Sequence, residues 1–314
     1  MTIRPRSGQP RPEVPRDPVA SERRRLTNLA YRLLGSLAEA EDAVQEAYAR
    51  WYALPPRDRE AVRSPGAWLT TVTGRICLDV LGSARARRES YVGAWVPEPL
   101  PDGREWMNGR SGGSGDDPAD RITLDESVDM AFLVVLETMT PAERVAFVLH
   151  DVFQYSFAEV SGIVGRTPAA CRQLASSARR RLRAERVPAP AGSQQGHLVR
   201  DFKQAWQAND IAALIGLLDP AAAMVADGGG VANAVLRPIT GAEQIARFIV
   251  EMARRAPGTE LLERSVNGRP GLVARFAGRT VTVAAFATAG DRITHIWAVR
   301  NPDKLHPWTD LPHD

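Results

Sequence analysis

The sequence predicts a multidomain chain: two all-α domains, a helical bundle and a helix-turn-helix, followed by an α+β domain with a curved antiparallel sheet. Three observations predict it. Apolar residues recur at three-to-four spacing from Glu22 to about Leu81 and again from Leu124 to Leu182, the period of one buried helix face. Period-two alternation enters only late, in LVARFA, TVTVAAFA and RITHIWAV between residues 272 and 299, the pattern of half-buried strands. Two polar stretches, PDGREWMNGRSGGSGDDPAD at 101–120 and VPAPAGSQQG at 187–196, are too poor in apolar side chains to build a core and read as linkers.

The elements follow in order. Residues 1–20 are rich in Pro and Arg, and read as an arm without fixed structure. Leu26, Leu29, Ala30, Leu33 and Leu34 form one helical stripe, and Ala43, Val44, Ala47, Tyr48 and Trp51 form the next. Pro55, Pro56 and Ser64-Pro65-Gly66 interrupt them before a helix through Trp68, Leu69, Val72, Ile76 and Val80. Helical periodicity resumes at Leu124 and breaks at Thr140-Pro141, an N-cap with proline in the first helical position. The last third opens on an amphipathic helix through Leu198, Phe202 and Trp206 and adds a second helix in GAEQIARFIVEMAR before its strands.

Between residues 157 and 183 the pattern is helix, turn, helix. FAEVSGIV points Phe157, Val160 and Val164 inward, Gly165-Arg166-Thr167 turns, and Pro168 to Leu182 forms the second helix. Cys171, Leu174, Ala175, Ala178 and Leu182 share its apolar stripe, so Arg172, Gln173, Ser176, Arg179 and Arg180 face outward. Small residues at its start permit close approach to DNA. Arg172 and Gln173 can then reach base edges and the later arginines phosphates. The plain alternative for the arginine cluster alone is a solvated surface helix leading into a basic linker.

Composition narrows the functions. The 314 residues are 44% hydrophobic, with net charge +3, enough to bury more than one core. Cys77 and Cys171 have neither disulfide-framework nor metal-ligand spacing, so no metal or cofactor is expected. No signal peptide opens the chain, and no apolar run approaches the roughly 18 residues of a membrane span, which predicts a cytoplasmic protein without a membrane partner. Lys203 and Lys304 are the only lysines, so a single arginine says little about nucleic acid. Clustering says more: residues 166–186 hold seven arginines against Glu185, and residues 100–130 hold eight acidic residues against three arginines. Separate blocks of opposite sign imply separate electrostatic tasks.

The run LAYRLLGSLAEAEDAVQEAYARWYAL at 29–54, followed by SPGAWLTTVTGRICLDVLGSARARR at 64–88, resembles region two of the extracytoplasmic-function sigma factors of bacterial RNA polymerase. Residues 122–186 resemble region four of the same family. The resemblance implies that Glu41, Asp42, Gln45 and Glu46 bind the core polymerase at its β′ clamp, and that Trp68, Arg75, Arg85, Arg87 and Arg88 capture the minus-ten element as melted single strand. It further implies that region four meets the β flap, while Arg166, Thr167, Arg172, Gln173, Ser176, Arg179 and Arg180 face the double-stranded minus-thirty-five element. The charges agree: an acidic helix suits a basic protein partner, and a basic one suits phosphate.

The last third resembles the SnoaL-like, cone-shaped fold shared with nuclear transport factor two and ketosteroid isomerase. One sigma subgroup carries this extension, and three of its motifs are present: WVPEP at 95–99, DGGG at 227–230 and NPDKL at 301–305. Val231 stands where the subgroup has a basic residue, and Val96 where it has leucine. The resemblance implies regulation within the chain, through Trp95, Pro97, Glu98, Pro99, Asp227, Gly228, Asn301, Pro302, Asp303 and Lys304 as contacts between domains. Lys304 is expected to meet Glu98 or the acidic linker as an exposed pair worth about 0 to 1 kcal/mol.

Folds of this shape often enclose a pocket, so a small-molecule ligand in the last domain is an open partner; Asp227, His295 and Trp297 are candidates to line that pocket. No catalytic residue is assigned, because Asp227 beside three glycines is more simply a turn residue and fold analogy does not establish activity. The organisation expected is an arm at 1–20, region two at 21–95, an acidic linker at 96–121, region four at 122–187, a linker at 188–196 and a regulatory domain at 197–314. Two other readings stay open: a ligand-sensing helix-turn-helix regulator, and a polyketide-cyclase or isomerase-type enzyme with accessory helices.

Overall fold

The computed structural model describes residues 19, 21–89, 91–101, 129–185, 192–232, 235 and 237–309, with side chains left out at 84–89, 185, 192 and 193. Helices α1 (Glu22–Leu34), α2 (Leu37–Ala53), α3 (Pro56–Ala61) and α4 (Pro65–Glu89) form the first bundle. Gly35 ends α1 in the left-handed region at φ +69, a conformation that costs glycine little. Ser36 is then extended and caps α2 by accepting from the Glu39 amide, so only two residues separate α1 from α2. Helix α3, between the two proline breaks, was not foreseen in the sequence; Pro56 at its first position supplies the start.

Helices α5 (Met130–Glu137) and α6 (Pro141–Phe147) precede a π-helical turn, Val148–Val152, and then α7 (Phe157–Val164) and α8 (Pro168–Glu185). Thr140 caps α6 as expected and closes a reciprocal capping box with Glu143. Ser156 and Glu159 do the same for α7, and Gly165 ends it at φ +70. Thr167 Oγ1 accepts from the Ala170 amide and starts α8. The remaining linker and the Leu124 start of helical periodicity, residues 102–128, lie outside the described residues.

The two all-α domains share one core, in which Leu26, Leu69 and Cys77 belong to one apolar cluster with Val160, Ile163 and Cys171. Each bundle alone is too small to cover its apolar faces, so the two bury them against each other. Two expectations need correction. Residues 1–18 and 20 lie outside the described residues, but Val19, expected in the unstructured arm, is buried in this core and its carbonyl accepts from the Tyr48 hydroxyl. The start of the expected acidic linker is no tether, since Val96 through Pro101 are all buried.

The last domain contains α9 (Gly192–Gln207), α10 (Ile211–Leu217), β1 (Leu218–Asp227), β2 (Ile239–Thr240), α11 (Ala242–Arg255) and β3 (Glu260–Val266). Strands β4 (Arg269–Phe276), β5 (Arg279–Ala289) and β6 (Arg292–Val299) follow. Helix α9 begins five residues before the boundary expected at 197. The sheet order is β2-β1-β6-β5-β4-β3. It is mixed, not wholly antiparallel: β1 runs parallel to β6, with Ala223 opposite His295 and Asp227 opposite Val299. A parallel neighbour needs a long crossover, and here everything from β2 to β5 separates the pair. The alanine-rich β1 gave no clear alternation.

The two faces of this sheet serve different cores. One is covered by α9 and α11 through Phe202, Ile245, Ile249 and Phe286. The other joins Trp297, Val299 and Val283 to Val96, Met130 and Trp308, so the outer face is buried against the all-α part of the chain.

Candidate functional site

Asp227 is the centre of the contact between the parts. It is the last residue of β1 and fully buried. Its Oδ1 accepts from the Tyr91 hydroxyl at 2.6 Å and the Gly229 amide at 3.1 Å; its Oδ2 accepts from the Val96 amide at 3.0 Å and Lys304 Nζ at 2.7 Å. Its carbonyl accepts from the Arg300 and Asn301 amides at 2.7 and 3.0 Å. Lys304 also donates to the Val96 carbonyl and lies 4.0 Å from the centre of the Trp95 ring. A buried carboxylate is tolerable only when paired and hydrogen-bonded, and both conditions are met. Asp227, which the resemblance put among the contacts between domains and the local sequence made a turn residue, is a joint between the parts of the chain; Lys304 pairs with it in the interior, where an exposed pair with Glu98 or the linker was expected.

Glu98 has a different task. Its Oε2 accepts from the Leu37 amide at 2.8 Å and from Ser36 Oγ at 3.3 Å, which satisfies donors at the start of α2. The Glu98 amide donates to the Gly35 carbonyl at 2.8 Å. Pro97 and Pro99 are buried in the same strap, and the Pro99 carbonyl accepts from Trp308 Nε1 at 2.8 Å. Asn301 Nδ2 donates to the Tyr91 hydroxyl at 3.0 Å, and buried Gly228 carries the turn. Pro302 and Asp303, expected at the interface, are exposed; Asp303 only closes a turn on Asn301 Oδ1.

Five contributors escaped the sequence reading. Tyr31 donates to the Glu98 carbonyl at 2.6 Å and accepts from Asn267 Nδ2 at 2.8 Å, while Leu100 and Asn267 exchange two bonds through the Leu100 amide and carbonyl. Asn267-Gly268 could be read only as a hairpin turn; nothing local shows that its amide reaches α1. Tyr91 and Trp308 were equally silent. Burial pushes both tyrosine hydroxyls above their usual range, and for Tyr91 the hydrogen bond to Asp227 adds to it.

The predicted polymerase-facing residues share one surface of α2: Glu41, Asp42, Gln45 and Glu46 are all exposed, with Glu46 paired to Arg50 at 2.8 Å. On α4, Trp68 is half-buried against Trp51, ring centres 5.2 Å apart. Arg75 is exposed, but its Nη2 and Nε donate to the Gly162 carbonyl of α7 at 2.7 and 3.2 Å. The side chains of Arg85, Arg87 and Arg88 lie outside the described residues. Arg166, Thr167, Gln173, Ser176 and Arg180 are exposed on the turn and α8, as is Arg172, which lies over the Phe157 ring at 5.3 Å. Arg179 differs from its expected outward role: Asp151 holds it through two bonds of 2.6 and 3.1 Å.

The other face of the sheet encloses a cavity of about 450 Å³ lined by Phe202, Trp206, Phe248, Met252, Phe286 and Arg300 among others. Asp227, His295 and Trp297 were expected there and are absent from its lining. The alternation of β6 sends Ile296 and Ala298 toward the cavity and Trp297 toward the domain contact. His295 stacks on Trp297 at 5.5 Å. Among the described residues, no helix is long and apolar enough to cross a membrane, and no cluster of His, Cys, Asp or Glu is placed to hold a metal ion.

A helical bundle with an acidic exposed face is thus joined to a helix-turn-helix with exposed arginines. Sigma-70 region 2 matches residues 19–88 and sigma-70 region 4 matches residues 129–182. The chain is 35% identical over 298 residues to the ECF RNA polymerase sigma factor SigJ of Mycobacterium tuberculosis, covering 90% of each. It is 36% identical to the probable ECF sigma factor SigI of the same species, covering 93% of this chain and 96% of SigI. The crystal structure of M. tuberculosis SigJ superposes with a TM-score of 0.69 at 33% identity, over 91% of this chain and 96% of that one. This chain belongs to the ECF RNA polymerase sigma factors, and the family's work is promoter recognition and transcription initiation with core polymerase.

Proposed function

We propose that this sigma factor is restrained in cis: its C-terminal domain staples regions two and four into a closed form that must open before both promoter elements are read. The observation that carries this is the engagement of Arg75 by the Gly162 carbonyl, which places a predicted minus-ten reader against the helix-turn-helix. Elements centred near minus ten and minus thirty-five lie roughly 25 base steps apart, on the order of 80 Å at about 3.4 Å per step. Two readers in contact cannot span that distance.

The C-terminal domain touches both regions, through Asn267 to Tyr31 on α1 and through Arg269 to Asp129, 3.3 Å away at the start of α5. In the open form, Glu41, Asp42, Gln45 and Glu46 meet the β′ clamp and region four meets the β flap. Arg172 and Gln173 read bases and Arg180 a phosphate, while α4 with Arg75, Arg85, Arg87 and Arg88 holds the melted strand. Region two from Val19 onward, region four and the domain that begins with α9 divide these tasks, and the site of action is the cytoplasm. The last domain acts by regulation and not by catalysis in this reading, since its contacts join it to both sigma regions.

Transcription reconstituted with core polymerase tests the proposal. Truncation after residue 196 and Asp227→Asn in the full chain should both raise promoter-specific transcript, and Trp95→Ala should give part of the increase. Equal activity of the truncated, substituted and unaltered chains would overturn restraint in cis.

A further inference from the structure

Residues 148–157 grip the outer face of α8 at two points. Asp151 holds Arg179 through two bonds, and Phe157, the first residue of α7, has the Arg172 guanidinium over its ring. Arg172 and Arg179 stand roughly two helical turns apart, so both project from one side of α8. The segment that supplies their partners is irregular. It opens on the π-helical turn Val148–Val152 and passes through Gln154 in the left-handed region at φ +60, a conformation that costs a non-glycine residue free energy. Departures of this kind gather at functional sites.

The Phe157 ring is fixed in its turn. His150 stacks on it, ring centres 3.8 Å apart and planes 25° from parallel. His150 Nδ1 lies 2.7 Å from the Tyr155 carbonyl; a carbonyl can only accept, so Nδ1 carries the hydrogen and the orientation of the imidazole is set. Phe157 itself is half-buried and packs on the all-α core. Periodicity alone marks Phe157 as a core residue and says nothing of His150.

An exposed arginine loses conformational freedom when it is ordered against a base. A guanidinium can rest its face on a ring and still offer its N–H edges to a base, so contact with Phe157 lowers that loss without occupying the donors.

We propose that His150 and Phe157 are positioning residues for promoter reading: their stack presents Arg172 already ordered, and sets the strength of preference at the one base pair of the minus-thirty-five element that Arg172 reads. The inference rests on the reading of Arg172 as a base reader, and the two can fail separately.

Holoenzyme formed from the full-length chain and core polymerase is titrated with a promoter fragment that it transcribes, substituted in turn at each base pair of the minus-thirty-five element. Arg172→Ala should level the preference at one pair. Phe157→Leu, which keeps an apolar side chain without the ring, should weaken the preference at that same pair by about two- to fivefold, the size of an exposed cation–π contact, and leave the other pairs in their original ratios. Phe157→Tyr keeps the ring and should retain the preference. His150→Gln keeps a donor for the Tyr155 carbonyl without the stacked ring, and should lose part of it. In the Arg172→Ala chain, Phe157→Leu should have no further effect at that pair. Val160→Ala, in the buried core of α7, should lower thermal stability and leave every ratio unaltered.

An unchanged preference in Phe157→Leu, beside a levelled one in Arg172→Ala, would overturn the positioning role alone. Equal weakening at every pair, or the same change produced by Val160→Ala, would make the stack a structural part only and overturn it likewise. Arg172→Ala with every preference intact would overturn the base reader, and the positioning built on it would fall too.

Discussion

Lys304 Nζ stands 2.7 Å from Asp227 Oδ2 with both residues buried, the carboxylate completely. A lysine five residues past the end of β6 thus neutralises the carboxylate that ends β1, and the strap at Val96 is bonded to both.

The two ends of this pair are unequal. Asp227 accepts from four donors through its side chain, whereas Lys304 shares its charge among Asp227, the Val96 carbonyl and the Trp95 ring. Breaking a buried pair costs about 3 to 5 kcal/mol. Asp227→Asn should reach that range and Lys304→Met should fall below it, because Asp227 keeps its three other donors. Urea unfolding followed by tryptophan fluorescence measures both, and the reverse order would refute the hub role of Asp227.

Gly35 should tolerate no side chain. Its φ is +69, and a Cβ would stand 2.7 Å from Trp95 Cη2. Gly35→Ala should destabilise the folded chain by about 1 to 3 kcal/mol from backbone strain alone, with faster exchange of the Glu98 amide that donates to its carbonyl. Wild-type stability in this variant would show that the strap can shift without cost.

Alkaline pH should undock the C-terminal domain. Burial holds Tyr31 and Tyr91 above the ordinary tyrosine value of about 10, so the neutral hydroxyl is the folded form. An acid with a raised folded pKa contributes stability that is complete below its unfolded value and is lost as pH rises past it. Stability should be flat up to about pH 9 and fall above 10. Tyr31→Phe should lessen the slope of the fall, as read by denaturant midpoints across that range.

The arginines of α8 should differ in kind. Arg172→Ala should cost about 1 to 3 kcal/mol of base discrimination, and Arg180→Ala should lower the salt slope of promoter binding by about one unit at every sequence. Arg179→Ala should instead lower thermal stability, since Asp151 holds that side chain. Binding isotherms on matched and mismatched promoters at several salt concentrations separate the three outcomes.

Asp42→Arg should weaken co-elution with core polymerase while leaving the fold intact, because the residue is exposed on the acidic face of α2 and the change sets like charge against a basic partner. Unchanged co-elution would remove α2 from the polymerase contact.

Much of this was legible locally. The three-to-four spacing of Leu26 through Trp51, the Thr140-Pro141 start and the Gly165 turn determine helices because capping and amphipathic burial act within a few residues. The strands β4 to β6 were equally visible, since alternation reports which face is buried. The sequence also singled out WVPEP, DGGG and NPDKL by resemblance. It could not show that Asp227, Val96 and Lys304 meet, that Tyr31 reaches Asn267 across 236 positions, or that Arg75 closes on Gly162. Those pairings depend on how sheet and helices pack, and a buried carboxylate finds its cation in space, wherever the chain has placed it. Tertiary structure alone decided which face of β6 meets a cavity and which a second domain, because alternation separates two faces without saying what covers either.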